Sequence, residues 1–172
     1  MEAFLNPEYF NRLYDYNYWA HRRVWDCVME LNPEEFETDL DYSIGSIRTQ
    51  VIHTMGVEHW WITFLSEGIL SFLDIEDYPN RTVIRDKWDE IEAYVRGYIQ
   101  SLTPAELDRE VKPPFWEDHE RPVKVWEALL QVANHSTDHR AQTLAGLHRL
   151  GAPTVGQDSL DYISDETALC NS

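Results

Sequence analysis

Cysteine is nearly absent from this chain of 172 residues, and lysine is almost as scarce. Cys27 and Cys170 are too few for a disulfide framework and form no close-spaced zinc pair, which points to a reduced, cytoplasmic setting. Lysine occurs only as Lys87, Lys112 and Lys124, and 14 Lys plus Arg against 31 Asp plus Glu leave a formal charge of -17. That charge repels phosphate backbones and anionic membrane surfaces, and no window holds a dense basic cluster, so nucleic acid is not an expected partner. Long apolar runs are missing too. Nothing reaches the roughly 18 apolar residues of a membrane span, and residues 1–7 lack a basic segment followed by an apolar one, so neither membrane insertion nor secretion is expected. The chain has no glycine-rich phosphate loop, no Gly-x-Ser-x-Gly elbow and no His-Glu-x-x-His pair. No Glu is followed three residues later by His, as a di-iron carboxylate bundle requires.

What the chain does have is apolar and aromatic material: 43% of it is hydrophobic, with seven Trp, nine Tyr and six Phe. That is enough for the core of a single domain over residues 1–172. Apolar residues recur at threes and fours from Pro7 to about Leu31, with Asn6 as cap and Pro7 in the first turn, and Asn32-Pro33 follows as a stop. Ser46 can cap a second helix ending at Gly68, and Thr82 a third running to Leu102. A fourth begins near Val123 and continues to Leu150, with Gly151 and Pro153 beyond it. The stretch 34–45 is acidic and aperiodic. Residues 108–122 hold three prolines, but Glu110–Lys112 and Arg121–Lys124 could form a small β-hairpin before the last helix. The final twenty or so residues are acidic and weakly periodic, with Leu160, Tyr162 and Ile163 available to fold back. The expected fold is all-α, a four-helix bundle with long connectors.

Three histidines in this pattern carry chemistry. His135 and His139 are four residues apart, about 40° around a helix, and so present two imidazoles to one ion. His53, on the second helix, would lie across the bundle from them. Three neutral imidazoles suit zinc, nickel or iron and leave a coordination position open for water or substrate. Gln131, His135, His139 and Gln142 form a narrow polar stripe on an otherwise apolar helix, and Trp60, seven residues after His53, can wall a pocket. Of the other histidines, His59 falls about 120° from His53 and is expected outward or behind the ligands. His21 is expected at a solvated or capping position, and His119 and His148 at the surface. Cys27 reads as a small buried hydrophobe.

Three segments, Tyr16-Asn17-Tyr18-Trp19-Ala20, Val51-Ile52-His53 with Glu58 and Trp61, and Asn134-His135-Ser136-Thr137-Asp138-His139-Arg140-Ala141-Gln142, resemble the DinB-like metal-binding helical bundle superfamily, which includes the YfiT-like thiol transferases. The resemblance covers nearly the whole chain. It implies a metal triad of His53, His135 and His139, a homodimer along bundle helices, and a low-molecular-weight thiol as a cosubstrate. Asp138 stands where many relatives carry a further His, and Ala141 where they carry Gly; Asp138 could instead fix the tautomer of a ligand imidazole. The resulting expectation is a metal-dependent enzyme acting on a small molecule, with thiol transfer as the leading reaction. A metal-dependent hydrolase and a non-enzymatic stress or binding protein with a structural ion are the alternatives.

Overall fold

The computed structural model describes residues 6–170, the last five by backbone alone. Residues 1–5, part of the segment read as lacking a signal sequence, and the side chain of Cys170 lie outside what is described. Three of the four long helices begin on a side chain that satisfies one of their unpaired N–H groups. Asn6 accepts from Tyr9 N at 2.9 Å and starts α1 (Pro7–Met29). Ser46 accepts from Thr49 N at 3.2 Å and starts α3 (Ile47–Glu67), which ends on Gly68 at a φ of 73° that other residues adopt at a cost. Helix α4 (Arg81–Ser101) begins on Asn80, two residues before the expected Thr82, because the Asn80 amide accepts from Val83 N at 3.1 Å. Helix α6 (Val125–Arg149) follows the expected hairpin, in which β1 (Glu110–Val111) pairs antiparallel with β2 (Val123–Lys124).

Three short α-helices and a 3-10 turn (Ile75–Asp77) are additions to what the sequence predicts. The stretch expected to be irregular opens with α2 (Pro33–Glu37), one turn started by a reciprocal capping box in which Asn32 binds Glu35 N and the Glu35 carboxylate binds Asn32 N. Thr103 caps another turn, α5 (Pro104–Leu107). Finally α7 (Ser159–Cys170) lies along α1. There Tyr162 packs on Tyr16 and Trp19 with ring centroids 6.0 and 5.7 Å apart, and Trp19 Nε1 donates to Asp165. Of the three residues expected to fold back, Tyr162 is buried with its ring against Tyr16 and Trp19, whereas Leu160 and Ile163 are exposed.

Helices α1, α3, α4 and α6 form the bundle, in which α3 lies between α4 and α6 and α1 lies between the same two on the other side. The interior contains Phe10, Tyr14, Val28, Ile47, Met55, Ile62, Ile84, Val95, Val125 and Leu129, all essentially inaccessible to water. Each such side chain contributes about 1.5–3 kcal/mol by leaving water. Gly146 sets how closely α6 approaches its neighbours. A Cβ there would lie 2.7 Å from the terminal carbons of both Ile47 and Leu40, so only a bare backbone fits without displacement.

The bundle also encloses polar groups. Glu58 is 1% exposed and accepts from Tyr18 Oη at 2.8 Å and Trp88 Nε1 at 3.3 Å. Burial outweighs these two hydrogen bonds and pushes its carboxyl up to about 7. Nearby, Arg140 is buried with its guanidinium donating to Asn17 Oδ1, Thr137 Oγ1 and Gln157 Oε1. His21, expected at a solvated or capping position, is instead 4% exposed, edge-on to Trp88 at 4.5 Å and 3.4 Å from the Arg140 guanidinium. Burial first, and then Arg140, hold it well below the usual histidine range. The reason is its place on the inward face of α1 with Tyr14, Asn17 and Tyr18, where Arg140 supplies a donor for its ring nitrogen.

Candidate metal site

The approach of α3 to α6 brings His53 against His135 and His139. His53 Nε2 and His135 Nε2 are 3.1 Å apart, and the ring centroids of the three imidazoles are 5.0, 4.6 and 4.3 Å apart in the three pairings. One nitrogen from each lies within 4.8 Å of the others, and these three residues could hold a metal ion. Two nitrogens each about 2.0–2.1 Å from a tetrahedral zinc ion would be roughly 3.3 Å apart, close to the His53–His135 separation. Among the described residues no fourth His, Cys, Asp or Glu joins the group.

The three rings are also in the protonation state that a ligand needs. Burial lowers His53, with the neighbouring His139 adding to it, and burial likewise lowers His139. His135 falls to about 4, through burial and then the two other imidazoles. Near neutral pH all three therefore keep a lone pair free. His135 Nδ1 is buried without a hydrogen-bond partner, so nothing within the protein competes for that ring's orientation except the facing imidazoles.

A chain of hydrogen bonds fixes the tautomer of His139. The Asp138 carboxylate only accepts, so the Gln142 amide must turn its NH2 toward it, at 3.1 Å. Gln142 Oε1 then faces Gln50 Nε2 at 3.3 Å, and also the Ser43 hydroxyl, which donates to it. Gln50 is thereby left with Oε1 facing His139 Nδ1 at 2.8 Å. His139 Nδ1 carries the proton, and its Nε2 lone pair is left for the ion. Asp138 thus acts on the imidazole through two amides rather than by touching it. Gln142, read from the sequence as a pocket residue, belongs to this relay.

Gln50 is the functional residue that sequence reasoning missed. It is 2% exposed and one turn before His53 on α3, so a buried amide three residues before a candidate ligand was the available signal. Trp60 does wall a cleft of about 390 Å³, which includes His53 in its lining. His59 is turned away from the triad and contacts Ser71 Oγ at 3.0 Å, while His119 and His148 are exposed and Cys27 is buried, as the sequence indicated. No helix among the described residues is long and apolar enough to cross a membrane.

Comparison with known proteins agrees with the helical fold. The chain is 26% identical over 152 residues to Protein DinB of Bacillus subtilis, a match spanning 83% of this chain and 88% of that protein. Its fold is similar to that of a DinB-like protein from Bacillus cereus, with a TM-score of 0.65 at 16% identity over 90% of this chain and 99% of the other. A DinB-like protein from Bacillus subtilis gives a TM-score of 0.64 at 13% identity, covering 84% and 95% of the two chains. At these identities the structural likeness speaks for the fold alone. The DinB family profile matches residues 1–168, and the chain belongs to the DinB family.

Proposed function

We propose that the protein is a divalent-metal enzyme that transfers a low-molecular-weight thiol to a small electrophile, with His53, His135 and His139 as the metal ligands. The observation that carries this reading is the three-nitrogen cluster with no fourth protein ligand among the described residues. Structural zinc sites are closed by four protein ligands, whereas catalytic sites keep one position for water or substrate. When bound, a divalent ion would lower the pKa of a thiol occupying that position, so that the thiolate is available near neutral pH.

The residues of the chain have simpler tasks. The relay from Asp138 through Gln142 and Gln50 keeps the His139 lone pair aimed at the ion. The aromatic side of the cleft excludes water from one flank of His53. In the transfer, the sulfur–carbon bond forms as the bond to the leaving group breaks. The leaving group departs with the electron pair, and the thiol proton goes to solvent.

The test is to purify the protein without a histidine tag, measure its metal content, and assay thiol conjugation with several low-molecular-weight thiols and electrophilic acceptors. About one ion per chain and metal-dependent turnover are expected. Metal-free protein whose ligand binding is unchanged when all three histidines are replaced by alanine would sink the reading. Turnover of an ester or amide in place of thiol transfer would shift it to a metal-dependent hydrolase. The family resemblance adds a homodimer to the proposal, checked by sedimentation at micromolar concentration.

A further inference from the structure

The cleft beside His53 has a composition that selects its occupant. Of its nine lining residues, Ile52, Val57, Trp60, Phe72, Leu73 and Ile75 are apolar, and only Thr49 and His53 offer polar side chains. None is charged. A carboxylate or phosphate entering it would lose hydration and meet no charged side chain in return, and the net charge of -17 opposes anions from a distance. At about 390 Å³ the cleft falls within the roughly 300–1,000 Å³ of small-molecule sites.

Its walls are also set in advance for a flat ring. Trp60 is stacked on Trp61 at 4.3 Å, which holds its plane, and Phe72 and Phe115 stand 6.1 and 5.6 Å from it. Phe72, which lines the cleft, is 62% exposed and leaves a large apolar surface that a ligand would cover, and Phe115 beside it is 54% exposed. On the far side, Arg48 holds the Ile75 carbonyl at 2.8 Å and the Tyr78 carbonyl at 3.1 Å, tying the connector to α3. Gly56 leaves the floor open: a Cβ there would only just reach Leu73, at 4.0 Å, so longer side chains would project into the cleft.

We infer that this cleft binds an uncharged aryl group, the non-reacting part of the electrophile, and holds its reactive carbon toward His53. The inference rests on the metal reading of the triad and adds the class of acceptor to it.

The test uses fluorine NMR with 4-fluorobenzyl alcohol as an uncharged aryl probe and 4-fluorobenzoate as its anionic counterpart. Metal-free protein should bind the alcohol at least about tenfold more tightly than the benzoate. Phe72→Ala, at an exposed position the fold does not need, should weaken the alcohol by about fivefold. Gly56→Leu should abolish it while the melting curve stays cooperative. Loading with nickel in place of zinc should broaden the bound fluorine resonance, because the paramagnetic ion lies beside the cleft. Benzoate binding as tight as the alcohol, or an unchanged alcohol affinity in Phe72→Ala, overturns the inference even if Gly56→Leu fails to fold. Failure of nickel to load would instead overturn the metal reading, and the alcohol titrations would still decide the cleft.

Discussion

Two clusters of polar side chains interrupt the apolar interior of this bundle, and they are built on opposite terms. Around Glu58 and Arg140, nearly every charged or polar group has an internal partner: Tyr18 and Trp88 donate to the carboxyl, and Asn17, Thr137 and Gln157 accept from the guanidinium. Asn17 Nδ2 is the one orphan in that network. In the triad, three neutral imidazoles face one another, and His135 Nδ1 has no partner. A satisfied network rigidifies a core, whereas neutral imidazoles brought together with a nitrogen left unpartnered are suited to take a cation. Burial alone therefore does not mark a site, but incomplete pairing among groups that can ligate does.

The sharpest way to break this contrast is to remove the triad. His135→Ala with His139→Ala should lower metal affinity by about a thousandfold or more, measured by competition with a chromophoric chelator, since one imidazole remains. The metal-free double variant should lose less than about 1 kcal/mol in denaturant unfolding. A large loss without metal would mean that the triad is a structural network like the other. Arg140→Met is the reciprocal experiment. It strands Asn17 Oδ1 in the interior, leaves Gln157 Oε1 without its donor, and should cost about 2–4 kcal/mol in denaturant titration, with metal affinity of the folded fraction changing little.

Gln50→Leu separates positioning from folding. It frees His139 Nδ1 and should weaken metal binding by about 10–100-fold in calorimetric titration, while His53 and His135 still bind. The smallest effect concerns Glu58. Its folded pKa lies above its unfolded value of 4.5, so the stability it contributes is full below about 4.5 and is lost as pH rises through about 7. Replacing it, Glu58→Gln, should therefore reduce the fall in unfolding free energy between pH 5 and pH 8 by about 1–2 kcal/mol. An unchanged pH profile would show that the buried carboxyl does not titrate in that window.

The contrast also explains what could be read from the chain beforehand. Helix starts at Asn6 and Ser46, the stop at Gly68 and the hairpin strands are local events, encoded by one cap or one turn, and they were legible. The His135–His139 pair was legible for the same reason. The capping box at Asn32 and Glu35 was equally local, but one turn of helix leaves no periodicity to notice. Gln50 and His21 were not legible, because their meaning depends on partners 89 and 119 residues away. A polar residue on an inward helix face is assigned to solvent by composition, and only the packed bundle reveals that it has company.

Gly146 lies two turns beyond His139 on the same face of α6, and its missing side chain lets that helix rest on the ends of Ile47 and Leu40. The helix that carries His135 and His139 is thus seated where a hydrogen atom, in place of a methyl group, leaves the ends of two apolar side chains undisturbed. A lineage that acquired alanine there would keep all three imidazoles and every relay residue, and would have to turn the ends of Ile47 and Leu40 aside to seat it.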